Sequence, residues 1–472
     1  MGERLSLHDR LSALEATISK LHSIIDEQAI RISKLEEENR IFKEENRILK
    51  IENQALKEEI RKLKIRSTSN NSSLPPSKDI ARTSTKKASS GKKSGGQLCH
   101  KGSFLALTDN PDKIIDLNPN YCNCCGGDLS NVESENYTRR QEIDIPPITP
   151  ITTEFRNHRK KCPICGNAQS SDFPNRINNH VQYGPNIQAQ IAYNSVYQAI
   201  PFKRMTDFFK NIFNLNISQG SIANIIEKFA QTANPIYNFI KKQIQKAKTA
   251  GSDESSVRVN GVNFWIWVWQ NLYYTYISTS SSRGYQTIED EFPNGFPNTI
   301  LVSDRWAAQL KTPAKAHQLC TAHLARDLES CKEHDKIYWP YQMHLFLKKC
   351  LLIKKEKSVL GANSSEFIEL QDELEKLLYE EISPTAKKSF TLQKSLQKHS
   401  KYLLTFLIDE QTPPDNNGSE RAIRMVKVKQ KVSGQFKSGA QSFAIIRSVF
   451  DTCNKQNISI FQTAKLIASL GD

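Results

Sequence analysis

Residues 251–304 read GSDESSVRVNGVNFWIWVWQNLYYTYISTSSSRGYQTIEDEFPNGFPNTILVSD, and this stretch determines the predicted fold of the C-terminal half. Three segments rich in β-branched and aromatic residues are separated by turns that contain Gly or Asn, which predicts a three-stranded antiparallel meander. A short helix is predicted near residues 285–292, and the apolar run at 299–303 predicts a buried strand. Together these elements predict an α/β core.

Three carboxylates occupy informative places around this core. Asp253 opens the first predicted strand, Asp304 ends the buried strand, and Glu420 starts a helix after a Pro-rich loop. Carboxylates gathered on one side of a sheet suit Mg²⁺ or Mn²⁺, and two such ions can clamp an in-line phosphoryl transfer. Glu254 and Asp415 are close rivals that the spacing leaves open.

Residues 1–66 carry an unbroken heptad repeat. With Leu7 at position d, apolar residues fill most a and d positions, and Asn39, Asn46 and Asn53 occupy position a. The pattern predicts a leucine-zipper coiled coil that joins parallel chains in a homodimer or higher oligomer. One long helix packed on its own protein is the alternative.

Overall composition restricts the class of protein. The 472 residues carry a formal net charge of +15 and contain no long apolar run, which excludes a membrane-embedded chain and favours a nucleic-acid partner. We expect a cytoplasmic, nucleoid-associated protein because the N-terminus carries no export signal. The Ser-, Gly- and Lys-rich residues 67–118 predict a basic flexible linker, either a solvated tether or one that lies along phosphates.

Two C-x-x-C-Gly motifs lie within residues 119–170. Cys122 and Cys125 form one pair, and Cys162 and Cys165 form the other. Four thiolates make a closed tetrahedral zinc site, so the segment predicts a zinc ribbon with a structural Zn²⁺ and strands that include residues 149–155. Cys124 is a spare thiol that could replace either neighbour.

The remaining segments are predicted to be mainly helical. Residues 171–248 contain a helix–turn–helix pattern at 203–230 that fits either a DNA-recognition element or a packing module. A charged helical insertion is predicted at about 324–410. A last helical segment at 415–450 includes the alternating run 426–432, which leaves a strand open, and a short C-terminal segment covers 451–472.

Four stretches, in this order, resemble the large transposase of the insertion sequence 66 family. They are NSSLPPSKD at 71–79 after the zipper, the two cysteine motifs, HQLCTAHLARDL at 317–328, and DNNGSERAIRMVKVKQK at 415–431. The resemblance implies an RNase H-like catalytic domain over 249–450, with a DDE triad of Asp253, Asp304 and Glu420 that binds Mg²⁺ or Mn²⁺. It also implies cutting of the ends of a mobile element, joining to target double-stranded DNA, and accessory proteins of the same element.

The family's Cys-x-x-His element falls on Cys320 and His323. On a helix these residues share a face, and with His317 they could bind a metal or instead brace the strand that carries Asp304. Near Glu420, a basic helix face suited to DNA phosphates comprises Arg421, Arg424, Lys427 and Lys431.

Three functions compete at this level. The favoured one is a metal-dependent DNA transposase with a multidomain fold. The alternatives are a non-catalytic DNA-binding protein, such as a repressor or a decayed transposase that retains zipper and zinc ribbon, and a coiled-coil scaffold that uses its charge. The three carboxylates favour the transposase over the two alternatives, because a protein that only binds DNA has no need of acidic side chains at strand ends.

Overall fold

The computed structural model describes residues 7–64, 105–146, 148–437 and 439–470. Residues 67–104 of the predicted linker therefore lie outside the described residues. The chain divides into two compact units, one formed by residues 1–79 and 319–415 and the other by residues 80–318 and 416–472. No helix in the described ranges is both long enough and apolar enough to span a membrane.

In chain order, the described helices are α1 (Leu7–Lys64), α2 (Pro185–Ala192), α3 (Phe202–Phe213), α4 (Gln219–Lys246), α5 (Tyr285–Glu291), α6 (Ala307–Lys311), α7 (Thr321–Asp335), α8 (Trp339–Lys357), α9 (Ser365–Tyr379), α10 (Lys387–Lys398), α11 (Thr405–Ile408), α12 (Asn417–Ser433), α13 (Ala440–Lys455) and α14 (Ile460–Leu470). The strands are β1 (Arg159–Lys161), β2 (Ala168–Ser170), β3 (Thr249–Val259), β4 (Val262–Gln270), β5 (Thr275–Ser280), β6 (Phe296–Ser303) and β7 (Ala314–Leu319).

The first unit contains the long helix α1 and the helical insertion α7–α11. The apolar heptad residues of α1 are widely exposed along the single chain, with Leu21 at 53% and Ile25 at 61%. The helix is thus confirmed, and its predicted coiled-coil partner stays a prediction. In the insertion, α8 and α10 pack on α7, and α9 packs against both α8 and α10.

The second unit is built on a mixed five-stranded sheet of order β5-β4-β3-β6-β7. Strands β3, β4 and β5 form the predicted antiparallel meander, and β6 pairs with β3 in the parallel sense. The aromatic side chains of β4 pack in the core of the sheet. Trp267 stacks on Trp269 with 5.7 Å between ring centres, and Phe292 meets Trp269 edge-on with 5.0 Å between ring centres. Helices α4 and α13 pack on each other and on β5.

Helices α3 and α4 follow each other as the helix–turn–helix pattern predicts. Helix α4 buries apolar residues along its whole length, from Ile222 to Ile244, and packs on α13, α2 and the sheet. This burial favours the packing-module interpretation of the pattern over the DNA-recognition one.

Two sequence-based expectations about elements are wrong, and the strand that the sequence leaves open for residues 426–432 does not form. Residues 149–155 form no strand, since Pro150 cannot donate to a ladder; the short strands β1 and β2 flank the second cysteine pair instead. Strand β3 begins at Thr249, so Asp253 lies inside it rather than at its opening. The alternating run 426–432 is helical within α12, whose buried residues follow the helical period.

Candidate functional site

One edge of strand β3 is shared by two neighbours. Strand β6 pairs with residues 249–251 of β3. Beyond that point, α12 and the residues just before and after it lie along the same edge of β3. Asn416 Nδ2 donates to the Ser252 carbonyl oxygen at 2.6 Å, Lys427 Nζ bonds the Ser256 carbonyl oxygen, and the Phe436 N–H donates to the Arg258 carbonyl at 3.0 Å. The end of β6 and the start of α12 therefore meet beside Asp253.

Two glycines allow the start of α12 to lie this close to the sheet. A Cβ on Gly251 would clash with Asn416 Oδ1 and would lie 2.8 Å from Ser419 Oγ, and a Cβ on Gly418 would clash with Gln270. Asn416 is buried and accepts a hydrogen bond from Ser419 Oγ at 2.7 Å. This contact fixes the first turn of α12, which carries Glu420.

The parallel register brings Asp304 to the same place. Ala250 pairs with Leu301 and Gly251 with Val302, so the register continued by two residues sets Asp253 opposite Asp304. Asp304 Oδ1 accepts a hydrogen bond from the Trp306 N–H at 2.8 Å, a turn that orients its carboxylate after the strand. Asp253 thus lies opposite the residue that follows β6, and the joint role of the two acids stays a prediction.

Asp253 has a strongly perturbed pKa. Burial raises this pKa well above the usual range of a carboxyl group, and the negative charges of Glu254, Asp304 and Glu420 raise it further. The charges of Asp304 and Glu420 both act on Asp253, and we call these three triad candidates, proposed below as one site, the carboxylate cluster. Such like-charge clusters are stable in the ionised form only when cations neutralise them.

Glu254, the rival of Asp253, has a different environment. Successive residues of a strand face opposite sides of the sheet, so Glu254 points away from Asp253. Its buried carboxylate accepts hydrogen bonds from Arg283 Nε at 2.8 Å and from Gln309 Nε2 at 2.5 Å. The Arg283 guanidinium lies 3.9 Å from the centre of the Trp306 ring and 5.0 Å from that of Trp265.

These contacts link Glu254 to the turn that orients Asp304. Arg283 covers the ring of Trp306, whose backbone N–H holds the Asp304 carboxylate. We name the set Glu254, Arg283, Gln309 and Trp306 the arginine latch. Burial and the Asp304 charge raise the pKa of Glu254, and the bonds from Arg283 and Gln309 oppose that rise. The latch gives Glu254 a structural role.

The donor chemistry of the cluster fits a divalent cation. Among the residues that the structure describes, no group of three or more His, Cys, Asp and Glu side chains is arranged to hold a metal ion. Mg²⁺ in proteins commonly uses one or two carboxylates and takes its other ligands from water and substrate phosphates. Carboxylates of this kind have the ligand chemistry that Mg²⁺ uses, and their binding of a cation stays a prediction.

The two cysteine motifs adopt the same backbone conformation. In the first motif, the Cys122 N–H donates to Gly127 O at 2.8 Å and the Gly126 N–H donates to Cys122 O at 2.9 Å. The second motif repeats both bonds: the Cys162 N–H donates to Asn167 O at 2.8 Å and the Gly166 N–H donates to Cys162 O at 2.9 Å. Gly126 and Gly166 have φ of 73° and 76°, which only glycine adopts readily.

This repeated geometry bears on which thiols are the predicted zinc ligands. Backbone N–H groups of Cys125 and Cys124 lower the pKa of Cys122, and those of Cys165 and Ile164 lower the pKa of Cys162. Lower thiol pKa values favour the thiolate that binds zinc. When the two motifs are aligned position by position, Cys124 corresponds to the exposed Ile164. Cys124 is therefore not the counterpart of a predicted ligand.

The remaining predicted residues lie as follows. Cys320 is buried at the start of α7, and His323 lies one turn into that helix, so their supporting role stays a prediction. His317 is buried in β7, where Nε2 hydrogen-bonds with the Thr312 carbonyl oxygen at 3.1 Å. Asp415 lies in the loop before α12.

The predicted basic face of α12 is only partly available to a ligand. The side chains of Arg421, Arg424 and Lys431 are exposed. Lys427 is instead half-buried and bonded to the Ser256 carbonyl, so it fastens α12 to β3. The sequence pattern does not separate these two roles, because spacing alone gives no sign of the backbone oxygen that Lys427 meets.

Sequence reasoning missed the residues that position the cluster. Gly251, Asn416 and Ser419 set the distance between α12 and β3, and Arg283 holds Glu254. A usable signal existed for the first group, since Asn416-Asn417-Gly418-Ser419 is a run of small and polar residues just before a helix. No local signal connects Arg283 with Glu254.

The fold is that of an α/β protein with Asp253 on its central strand, Asp304 and Glu420 on neighbouring elements, and a separate pair of cysteine knuckles. The sequence profile described as the transposase IS66 family matches residues 180–442, more than half of the chain. The profile described as the zinc-finger binding domain of transposase IS66 matches residues 119–166. The chain therefore belongs to the IS66 family of transposases. Comparison with curated proteins gave no match.

Proposed function

We propose that this chain is an active DDE-type DNA transposase, which cuts the ends of its mobile element and joins them to target DNA. Asp253, Asp304 and Glu420 are the catalytic carboxylates, and together they bind Mg²⁺ or Mn²⁺. The observation that carries the proposal is the position of Asp253 where β6 ends and α12 begins, with the Asp304 and Glu420 charges acting on it.

Several features support this assignment. The sheet order β5-β4-β3-β6-β7, with an antiparallel meander and a parallel fourth strand, is the arrangement expected for an RNase H-like core. A bound divalent cation would supply charge neutralisation at the attacking and leaving oxygens of a phosphodiester. The chain's own part is to hold the three carboxylates, with Asp253 on β3, Asp304 just after β6 and Glu420 on α12. Strand pairing joins β3 to β6, and the side chains of Asn416 and Lys427 tie α12 to β3.

The zinc ribbon and the basic face complete the proposed DNA-binding machinery. Cys122, Cys125, Cys162 and Cys165 hold one structural Zn²⁺. Arg421, Arg424 and Lys431 lie on the helix that carries Glu420, so phosphates bound there would lie near the carboxylates. Helix α1 pairs with α1 of a second copy, because its heptad residues otherwise remain exposed to water. Accessory proteins of the same element are further partners.

Two substitutions test the third carboxylate. Purified Glu420→Gln, incubated with labelled element-end DNA and Mg²⁺, should bind DNA normally and lose strand cleavage by several orders of magnitude. Asp415→Asn is the matched control, and it should keep most activity because Asp415 lies in a turn-forming loop. Normal cleavage by Glu420→Gln, or a folded but inactive Asp415→Asn, would show that the triad is assigned wrongly.

A further inference from the structure

Helix α10 in the helical insertion carries lysines and no acidic residue. Lys387, Lys394 and Lys398 are exposed, and their spacings of seven and four put them on one side of the helix. We call these three residues the α10 lysine face. The face belongs to the first compact unit, whereas the carboxylate cluster belongs to the second.

The orientation of this face is fixed by the other side of the helix. Leu392 and Leu396 are buried, and Gln393 Nε2 donates to the Glu380 carbonyl oxygen at 2.8 Å. The neighbouring lysine, Lys388, donates to Ser330 Oγ at 2.8 Å on helix α7. The helix therefore cannot turn to bring the lysine face toward its own unit.

The lysine face lacks the neutralising partners that lysines elsewhere in this unit have. Within the described part of the chain, Lys387, Lys394 and Lys398 make no ion pair. On α8, in contrast, Lys349 pairs with Glu373 at 2.6 Å and Lys357 pairs with Glu366 at 2.5 Å, both with acids of α9. Lys394 Nζ also lies 5.6 Å from the centre of the Phe390 ring. Three aligned lysines without carboxylate partners give this side of α10 a positive charge that a polyanion can neutralise.

The chemistry of the face indicates which polyanion and how it is bound. Lysine is a point charge on a flexible stem that suits phosphates without demanding a fixed geometry. The polar neighbours that could read base edges are engaged, since Gln397 Nε2 donates to the Leu378 carbonyl and Thr391 Oγ1 to the Lys387 carbonyl. Positioning contacts to phosphates carry no direct sequence information.

We propose that the α10 lysine face binds the phosphate backbone of double-stranded DNA without sequence preference. This inference rests on the proposed function only in taking DNA as the polyanion. It assigns to the helical insertion a DNA contact of its own, in addition to the basic face of α12.

The test is a salt titration of DNA affinity in the full-length chain. The triple variant Lys387→Gln, Lys394→Gln, Lys398→Gln is compared with a control triple on α8, Lys349→Gln, Lys355→Gln, Lys357→Gln. The control changes the net charge equally and adds the exposed Lys355 to the two paired lysines. Glutamine is a good helix former, so both variants should fold, which circular dichroism checks. Binding of a fluorescent duplex is measured from about 50 to about 200 mM salt.

We expect the lysine-face triple to lower the slope of log affinity against log salt by about 0.9 per lost phosphate contact, nearly 3 in all. Affinity at low salt should fall about tenfold or more, equally for element-end and unrelated duplexes, and the control triple should stay within about twofold of wild type. An unchanged slope, or equal losses in both triples, would overturn the proposal. So would a loss confined to element-end DNA, or a variant impaired only in binding polyglutamate, which would indicate an acidic protein partner.

Cleavage is not part of this readout, so the two proposals fail separately. A wild-type chain that never cuts DNA, together with a lysine-face triple that loses slope, would contradict the proposed function and uphold the lysine face. Normal Mg²⁺-dependent cleavage by a chain whose slope does not depend on the three lysines would give the opposite result.

Discussion

Asp253 and Glu254 are adjacent residues of β3 that face opposite sides of the sheet and differ in their hydrogen-bond partners. Glu254 is held by Arg283 at 2.7 Å and by Gln309, whereas Asp253 Oδ1 accepts a hydrogen bond from the Glu254 N–H at 2.9 Å. The Asp304 charge raises the pKa of both carboxyl groups, but the cation and the amide offset part of this effect only at Glu254. A buried carboxylate with like charges and no cation beside it, such as Asp253, is typical of functional sites.

Glu254→Gln should therefore destabilise the protein. The change takes a carboxylate oxygen away from the donors of Arg283 and Gln309, and the donor left without its acceptor should lower the free energy of unfolding by about 1–2 kcal/mol. Thermal unfolding measures this effect. Since the arginine latch reaches the turn at Asp304, cleavage should fall moderately, and a variant as stable as wild type would contradict the structural role of Glu254.

Gly251→Ala should reduce cleavage because it displaces α12 from β3. The new Cβ would clash with Asn416 Oδ1 and crowd Ser419, so the first turn of α12 must move away from β3 and carry Glu420 with it. We expect a loss of about 1–3 kcal/mol in stability and a large loss of cleavage. Gly220→Ala, whose Cβ would meet only ordinary contacts in α4, is the control, and a Gly251→Ala variant with wild-type activity would refute the close approach.

Cys162→Ser should release zinc and unfold the ribbon, because metal binding and folding are coupled in small zinc modules. Elemental analysis should find about one zinc per wild-type chain and a clear loss in the variant. Cys124→Ser is the control that the repeated knuckle geometry provides, and it should keep its zinc. Full zinc content in Cys162→Ser, or loss in Cys124→Ser, would mean that the ligands are assigned wrongly.

A peptide of residues 1–66 should form a parallel dimer. The heptad positions are apolar except for a polar series that includes Asn39, Asn46 and Asn53, and buried Asn at position a sets the number of strands at some cost in stability. Sedimentation equilibrium measures the mass. Replacing the three Asn with Ile should raise the melting temperature and broaden the range of oligomers, whereas a monomeric wild-type peptide would exclude the coiled coil.

The sequence predicts the parts of this fold that have a strong local period. The meander, the buried strand ending at Asp304 and the helix that carries Glu420 all follow from hydrophobic pattern and turn residues. Strand β7, AKAHQL, is not predicted because its polar residues alternate weakly and its place depends on pairing within the sheet. The start of β3 is missed for a similar reason, since Ala250, Gly251 and Ser252 have low strand propensity and are held by neighbours.

The sequence proposes the acids of the candidate site and gives no indication of most residues that support them. Asp304 and Glu420 stand at element boundaries that local sequence marks, and the resemblance to a family singled out Asp253 over Glu254. The contacts that separate those two neighbours come from Arg283 and Gln309, which lie 29 and 55 residues away in the chain. Contacts over such separations depend on tertiary packing, which no local pattern encodes.

The most direct measurement is the rate at which Asp253→Asn cleaves labelled element-end DNA in Mg²⁺, beside the wild-type chain. Because the substitution removes one charge from a repelling cluster, the variant should fold, with a melting temperature at or above that of wild type. We predict wild-type cleavage that requires the cation, and a variant that binds DNA yet has lost cleavage by several orders of magnitude. A folded Asp253→Asn that cleaves at the wild-type rate would contradict the assignment of this carboxylate cluster as the catalytic centre.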